Sequence, residues 1–503
     1  MITRLLHPLF ASRCKKWCDA AANLEQSQRK QLAWLLAKGK GTMLGEQYHF
    51  SSIDRYETYR HRVPVVKYED IRQLVMRMVD GDKNILWPGR TTRFAQSSGT
   101  SDGKSKYIPV TADSLRMNHY RGGFDCVAHY LQSNPASRIF DGKAFILGGS
   151  FANELKLSGI VHVGDLSANL IDSINPLVNC IRVPAKKIAL MADWSKKLPL
   201  LVEKSMNANV TNISGVPSWF LTVLKTVIAQ KGATTIHDVW PNLEVFFHGG
   251  ISMEPYRTQY SHITDPARMH YLETYNASEG FFAIQTDPES HWLEILPDGG
   301  IFFEFVPLDQ VDEPFPKAVP AWHAEQGKTY ALVITAANGL WRYSLGDTVT
   351  IQQTSPLKFT IAGRTKHYIN AFGEELMVYN AEHAMAATCR QLDCDVANYT
   401  AAPVYAGDNS KGCHQWLIEF NRPPQSIEEF ANLLDKNLQS ENSDYQAKRS
   451  GNIFLDSPMI TVANTGLFDK WLASTGKLGG QRKVPRLCPD RRFIDPMLSM
   501  NQQ

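Results

Sequence analysis

Nine consecutive residues, Gln96-Ser97-Ser98-Gly99-Thr100-Ser101-Asp102-Gly103-Lys104, gather hydroxyls, two glycines and a lysine. Glycine lets a backbone bend until several N–H groups converge on one anion, and hydroxyls add donors around it. Lys104 or Lys106 can bring positive charge to the same place. Phosphate binding is the chemistry this segment suits. It matches neither Gly-x-x-x-x-Gly-Lys-Ser/Thr nor Gly-x-Gly-x-x-Gly, so a P-loop ATPase is not supported. A solvated Ser/Gly turn is the plain alternative, and these nine residues alone do not separate the two.

Other segments bear on that choice. His248-Gly249-Gly250-Ile251 closes an apolar run, at the strand end where α/β folds place ligands. Glycines there let a flat base approach the backbone; a simple strand-to-helix turn is the other reading. Tyr275-Asn276-Ala277-Ser278-Glu279-Gly280 offers a ring for a base, a hydroxyl for phosphate and a carboxylate for Mg²⁺. Tyr343-Ser344-Leu345-Gly346-Asp347 sets an acid behind a glycine turn, suited to accept from two ribose hydroxyls or to be an ordinary turn Asp. Ala362-Gly363-Arg364-Thr365-Lys366 adds cations that reach either a nucleotide or water. Gly476 to Arg486 is glycine-rich and basic, a charged segment or a tail.

The elements that must position these residues follow from periodicity. A chain of 503 residues exceeds one ordinary core, so two or three domains are expected. Gln31 to Lys38 predicts a helix stopped by Gly39 as its C′ residue. After Pro88, strands alternate with helices: strands at Lys143–Leu147 and Leu243–Phe247, and a helix at Ser218–Lys231 with Gly232 behind it. From Gly300 to Ile361 the pattern is strand-rich, with runs at Ile301–Val306, Tyr330–Thr335, Leu340–Tyr343 and Lys358–Ile361 and a hairpin signal at Asn338-Gly339. This reads as a barrel or small antiparallel sheet. A small α+β unit begins near Arg364, with helices at Asn380–Leu392 and behind the Ser426–Glu429 capping box.

Bulk composition narrows the class. Lys plus Arg is 53 against 50 Asp plus Glu, a net charge of +3, which lacks the basic excess of a nucleic-acid binder. No apolar run is long enough for a membrane span. His7 and Pro8 interrupt the N-terminal apolar stretch, which favours an amphipathic helix over a signal peptide. The eight cysteines form no Cys-x-x-Cys pair and read as reduced thiols of a cytoplasmic protein.

In this order, the segments resemble the acyl-acid amido synthetases of the plant GH3 family and their bacterial relatives, within the adenylate-forming superfamily. The resemblance runs from about Pro88 to Arg486. It implies an α/β adenylating-enzyme fold. Residues 1–365 would form a large ATP- and acyl-binding domain with mixed sheets and a β-barrel-like part. Residues 366–503 would form a small mobile α+β lid. By resemblance, Ser97, Ser98, Gly99, Thr100 and Ser101 hold phosphates, with Ser278 adding a hydroxyl. Gly249, Gly250 and Tyr275 border the adenine, and Glu279 binds Mg²⁺. Asp347 takes the ribose hydroxyls with Arg364 nearby. Lys483, in Lys-Val-Pro-Arg, joins Glu279 as a catalytic residue. Where plant members carry a hinge lysine this chain reads Gly373-Glu374-Glu375-Leu376, and Lys366 is the substitute.

The implied reaction is adenylation of a carboxylic acid by Mg²⁺ and ATP, then acyl transfer to an amino acid. The small-molecule acid and amino acid are the expected partners, with no nucleic acid and no membrane. An acyl-CoA or other thioester-forming ligase shares the first half-reaction and is the alternative. A non-catalytic nucleotide-binding protein is a third reading, opposed by the presence together of Glu279, Asp347 and Lys483.

Overall fold

The computed structural model describes residues 2–97, 106–151, 155, 159–250, 253, 256–364, 368–369, 376–404, 412–442, 445–446, 449, 455–475, 484–488 and 490–502, with the backbone alone at 97, 194, 195, 218, 364, 368 and 377. Two compact units emerge. The first holds chiefly Met1–Leu345 and Val349–Thr360; the second holds Gly346–Thr348, Ile361–Leu478 and Arg482–Gln503.

In the first unit, β1 (Arg93–Ser97) pairs antiparallel with β2 (Lys106–Pro109) and parallel with β4 (His162–Gly164). A twelve-stranded mixed sheet carries the rest. Its parallel part comprises β3 (Lys143–Ile146), β5 (Arg182–Val183), β6 (Val210–Gly215), β7 (Val245–Gly249) and β8 (His270–Ala277). At β9 (Gly280–Gln285) the direction reverses. The sheet continues through β10 (Leu293–Ile295), β15 (Leu357–Arg364), β14 (Tyr343–Thr354), β13 (Thr329–Ala336), β11 (Ile301–Pro307) and β12 (Val319–Pro320). The barrel-like part expected after Gly300 takes the form of this antiparallel continuation.

Burial on both faces explains the unbroken apolar strands of the parallel part. Phe145, Ile213 and Phe246 pack with Phe220, Leu224 and Val227 of the helix Pro217–Lys231, and with Trp240. That helix opens on a proline and ends at Gly232, whose φ of 62° lets its N–H reach the carbonyls of Ile228 and Ala229. The N-terminal residues form an amphipathic helix, Ile2–Ala22, whose Phe10, Cys14 and Trp17 join the core. No helix among the described residues is long and apolar enough to cross a membrane.

Two local expectations need correction. Gly39 is the last residue of the helix Leu24–Gly39 rather than a cap beyond it. Its missing side chain serves packing, since a Cβ there would lie 2.3 Å from the Trp341 ring. Nor is Leu340–Tyr343 a strand: Arg342 turns left-handed, φ 44°, and β14 begins after it.

The second unit has its own core. Strands Asp395–Val404 and Cys413–Arg422 pair antiparallel, and Met459–Val462 joins the latter in parallel. Helices Val378–Leu392 and Ile427–Glu441 bury Met385, Phe430, Leu434 and Leu438 against Trp416 and Ile418. Ser426 caps the second of these helices by accepting from the Glu429 N–H at 3.2 Å.

Candidate active site

Ser98, Gly99, Thr100, Ser101, Lys366 and Lys483 lie outside the described residues, and Ser97 and Arg364 are described by backbone alone. The flanks of the loop are nevertheless fixed. Ser97 ends β1 opposite Lys106, which begins β2, and Gln96 faces Tyr107. The Tyr107 N–H donates to the Tyr68 hydroxyl at 2.8 Å, tying this ladder to the helix Tyr68–Val79.

Glu279 occupies the tight turn between β8 and β9 and is 7% exposed. Burial, then the Glu279 charge, push the Tyr343 phenol well above its usual pKa, so it is a neutral donor. Lys106 Nζ in turn donates to the Tyr343 oxygen at 3.2 Å and lies 5.8 Å from the centre of the Tyr68 ring. The Glu279 turn is also pinned through its backbone. Asn338 donates to the Glu279 carbonyl at 3.0 Å. Asn118 accepts from the Phe281 N–H at 2.6 Å and donates to the Phe281 carbonyl at 2.8 Å. Asn118 sits in a π-turn, Leu115–His119; such turns widen a helix and recur at functional sites.

A buried carboxylate is a hard oxygen donor, which fits Mg²⁺. Among the described residues no group of three or more His, Cys, Asp or Glu side chains could hold a metal. Mg²⁺ is commonly held by one or two carboxylates with substrate phosphates and water, so a single protein carboxylate suffices.

The GH3 family N-terminal domain model matches residues 13–176 and 174–269, the central domain model 295–364 and the C-terminal domain model 379–492. The chain belongs to the GH3 family. The probable indole-3-acetic acid-amido synthetase GH3.1 of Arabidopsis thaliana is 23% identical to it, over 96% of this chain and 94% of that protein. Jasmonoyl-L-amino acid synthetase JAR4 of Nicotiana attenuata is also 23% identical, over 94% and 93%. The solved GH3.15 acyl acid amido synthetase superposes with a TM-score of 0.80 at 18% identity, covering 98% of this chain and 96% of that one. A 2-hydroxyisobutyryl-CoA ligase in its postadenylation state, with 2-HIB-AMP bound, superposes at 0.62 and 12% identity, covering 94% and 91%. The fold is therefore that of adenylating enzymes.

The remaining motif residues of this GH3 chain fall as follows. Gly249 pairs with Thr274 across β7 and β8, and a Cβ on it would lie 2.3 Å from the Thr274 carbonyl oxygen. Close strand approach therefore demands glycine there, and it sets the Gly249 backbone next to Tyr275. Gly250 follows at φ 80°. The Tyr275 ring is 6% exposed and meets Phe282 and Phe359 in edge contacts, with centroids 4.9 and 6.1 Å away. Ser278 is buried beside Glu279 in the turn. Asp347 is a buried carboxylate further along β14, behind Gly346 at φ 79°.

The sequence pattern marks Lys106 only as added charge, Tyr343 as the first residue of the Asp347 motif and Asn338 as part of a hairpin turn, and it marks Asn118 not at all. The available signal was the position of Lys106 at the start of the strand after the loop.

Three buried histidines stay neutral in this fold. Burial pulls His119 and His129 down to about 4 and His248 to about 3, with cations adding to the effect at His129 and His248. An unfolded histidine titrates near 6.5. Between that value and about 4 the unfolded chain binds protons the fold refuses, so stability falls as pH falls. Unfolding free energy should drop by on the order of several kcal/mol from pH 7 to pH 5. Denaturant titrations at pH 7, 6 and 5 read this, and His119→Gln should flatten the slope; an unchanged slope would contradict the assignment.

Proposed function

We propose that this chain uses Mg²⁺ and ATP to activate a carboxylic acid as an acyl-adenylate and transfers the acyl group to an amino acid. The observation that carries the reading is the buried Glu279 carboxylate in the β8–β9 turn, whose charge acts on Tyr343, the phenol that accepts from Lys106 at the exit of the hydroxyl- and glycine-rich segment. Relatives along nearly the whole chain are named amido synthetases for indole-3-acetic acid and jasmonoyl conjugates, and these names support the substrate classes.

In the first half-reaction the carboxylate attacks the α-phosphorus and pyrophosphate leaves. Both reactants are anions, so their charge must be cancelled before they meet. Mg²⁺, when bound, would supply positive charge to the phosphates. Glu279 holds it, residues 97–101 with Ser278 hold the phosphates, and Asp347 accepts from the ribose with Arg364 close by. Gly249, Gly250 and Tyr275 border the base. Residues 366–503 are the mobile lid that supplies Lys483, and Lys366 stands in for the family's hinge lysine. In the second half-reaction the amine attacks the acyl carbon and AMP leaves, so no enzyme nucleophile is required.

Lys483→Ala should slow pyrophosphate release about 10²-fold while weakening ATP binding far less. Rapid-quench kinetics beside calorimetric ATP titration separates these effects, and an unchanged adenylation rate would remove Lys483 from the site. The reading as a whole is tested by a pyrophosphate-release screen of carboxylic acids crossed with amino acids and coenzyme A. Amide products support it. Thioester products alone replace it with the CoA-ligase reading, and no acid-dependent pyrophosphate with any pair overturns it.

A further inference from the structure

Large apolar side chains crowd one edge of the first unit. On the helix Ile2–Ala22, Ile2, Leu5 and Leu9 recur at i, i+3 and i+7 and are 54, 78 and 58% exposed. A second helix, Pro176–Cys180, exposes Leu177 and Val178, and Ile181 follows them into solvent. Single exposed leucines are ordinary, whereas a contiguous group marks an interaction surface. These two segments are contiguous. The Ile2 N–H donates to Asp141 Oδ1 at 2.9 Å, and Lys143 Nζ donates to the Cys180 carbonyl at 2.7 Å. Two residues of chain span at most about 7 Å, so both helices abut the start of β3. The Ala144 N–H completes the join, donating to the Ile181 carbonyl at 2.9 Å.

The charge at this edge is mostly positive. Arg4, Lys15 and Lys16 are exposed on the first helix, and Asp19 is its only acid. Lys16 follows Leu9 by seven residues and so continues the apolar stripe. Residues 174–181 carry no charge. Asp141 is the acid at the junction, and its Oδ1 accepts from the N–H groups of Ile2 and Thr3. The whole chain is nearly balanced, with 53 basic against 50 acidic side chains, so the local excess does not reflect bulk charge. An aliphatic stripe flanked by Lys and Arg suits a helix that lies in the plane of a lipid headgroup layer. A second copy of this chain fits less well, because a two-fold interface sets a patch against itself, cation against cation. The six residues also include none of the aromatics that protein interfaces favour.

We propose that this edge docks on the surface of an anionic lipid bilayer: Ile2, Leu5, Leu9, Leu177, Val178 and Ile181 enter the boundary between headgroups and acyl chains, while Arg4, Lys15 and Lys16 meet the headgroup phosphates. The contact is independent of the adenylation reading and stands or falls apart from it. It revises the expectation of no membrane partner, which rested on the absence of an apolar run long enough to span. A helix lying in the interface plane needs no such run.

The test sediments the full chain with vesicles of phosphatidylcholine, alone or mixed with phosphatidylglycerol. Binding should require the anionic lipid and fall several-fold as NaCl rises from about 0.1 to 1 M, because the Debye length shrinks. Leu5→Asp and Leu177→Asp should each weaken it about tenfold or more, since each removes one buried leucine from the lipid contact and adds a negative charge. Arg4→Glu combined with Lys16→Glu should cost at least about tenfold through the headgroup attraction alone. Leu308→Asp, an exposed apolar residue at the far end of the twelve-stranded sheet, should leave binding unchanged. All these positions are exposed, so circular dichroism should show each variant folded. Failure of the wild type to bind either vesicle overturns the proposal, as does wild-type binding by both Leu5→Asp and Leu177→Asp. Equal binding to the two vesicle types overturns the anionic assignment. A dimer in light scattering that Leu177→Asp dissociates, without vesicle binding, gives the face to a second copy and overturns the lipid contact.

Discussion

Glu279→Gln should lower acid-dependent pyrophosphate release by about 10²- to 10³-fold and leave the protein folded. Glutamine keeps the shape of the side chain, so the buried turn loses little packing. What disappears is the negative charge. A neutral amide is a poor ligand for a hard dication, so neutralisation of the phosphates in the transition state weakens. The loss of one such electrostatic contact costs about 3–4 kcal/mol in comparable sites. The defect should appear chiefly as a raised Mg²⁺ requirement, because the proposed nucleotide contacts of residues 97–101 and Asp347 remain. Steady-state pyrophosphate release at several Mg²⁺ concentrations reads the effect. Normal turnover in Glu279→Gln would strike it from the metal site, and unfolding in that variant would recast the carboxylate as a structural group.

The fold and the site differ in how far they can be read from sequence, and particular residues show why. The helix before Gly232 and the turn at Asn338-Gly339 are local: spacing and a residue tolerant of positive φ specify each of them. Gly39 misleads by the same logic. Its lack of a side chain answers to Trp341, far along the chain, and no local pattern carries that information. The motif glycine Gly249 likewise meets Thr274 across a strand pair. The site's logic is mostly of this second kind. Glu279, Tyr343 and Lys106 each lie in a segment whose composition suits nucleotide chemistry, yet their connection depends on strand order and on β9 reversing the sheet. Lys106 was recognisable as a charge near the loop. That its ammonium reaches the Tyr343 oxygen was not, because nothing in the spacing of residues 106 and 343 encodes it.

Arg342→Met should destabilise the protein by about 3–5 kcal/mol, the cost of leaving one charge of a buried pair without its partner. Arg342 and Glu304 are both fully buried. Nε donates to the two Glu304 oxygens at 3.1 and 2.9 Å, and a terminal nitrogen donates to Oε1 at 2.9 Å. The other terminal nitrogen reaches the carbonyls of Arg60 and Val63 at 2.8 and 2.7 Å. Burial alone would lower the guanidinium pKa, and the Glu304 charge and hydrogen bonds more than reverse it, so the guanidinium stays charged. Tyr56 donates to the same carboxylate at 2.9 Å. Methionine fills much of the volume but strands Glu304 and two carbonyls. It also releases the backbone, since these bonds hold Arg342 at a φ of 44° that an L-residue adopts at a cost of about 1–2 kcal/mol. Denaturant unfolding reads the loss. Pairing Arg342→Met with Glu304→Leu removes the stranded charge and should recover part of the stability. A double variant no more stable than Arg342→Met alone would show that the stranded Glu304 charge is not the source of the loss.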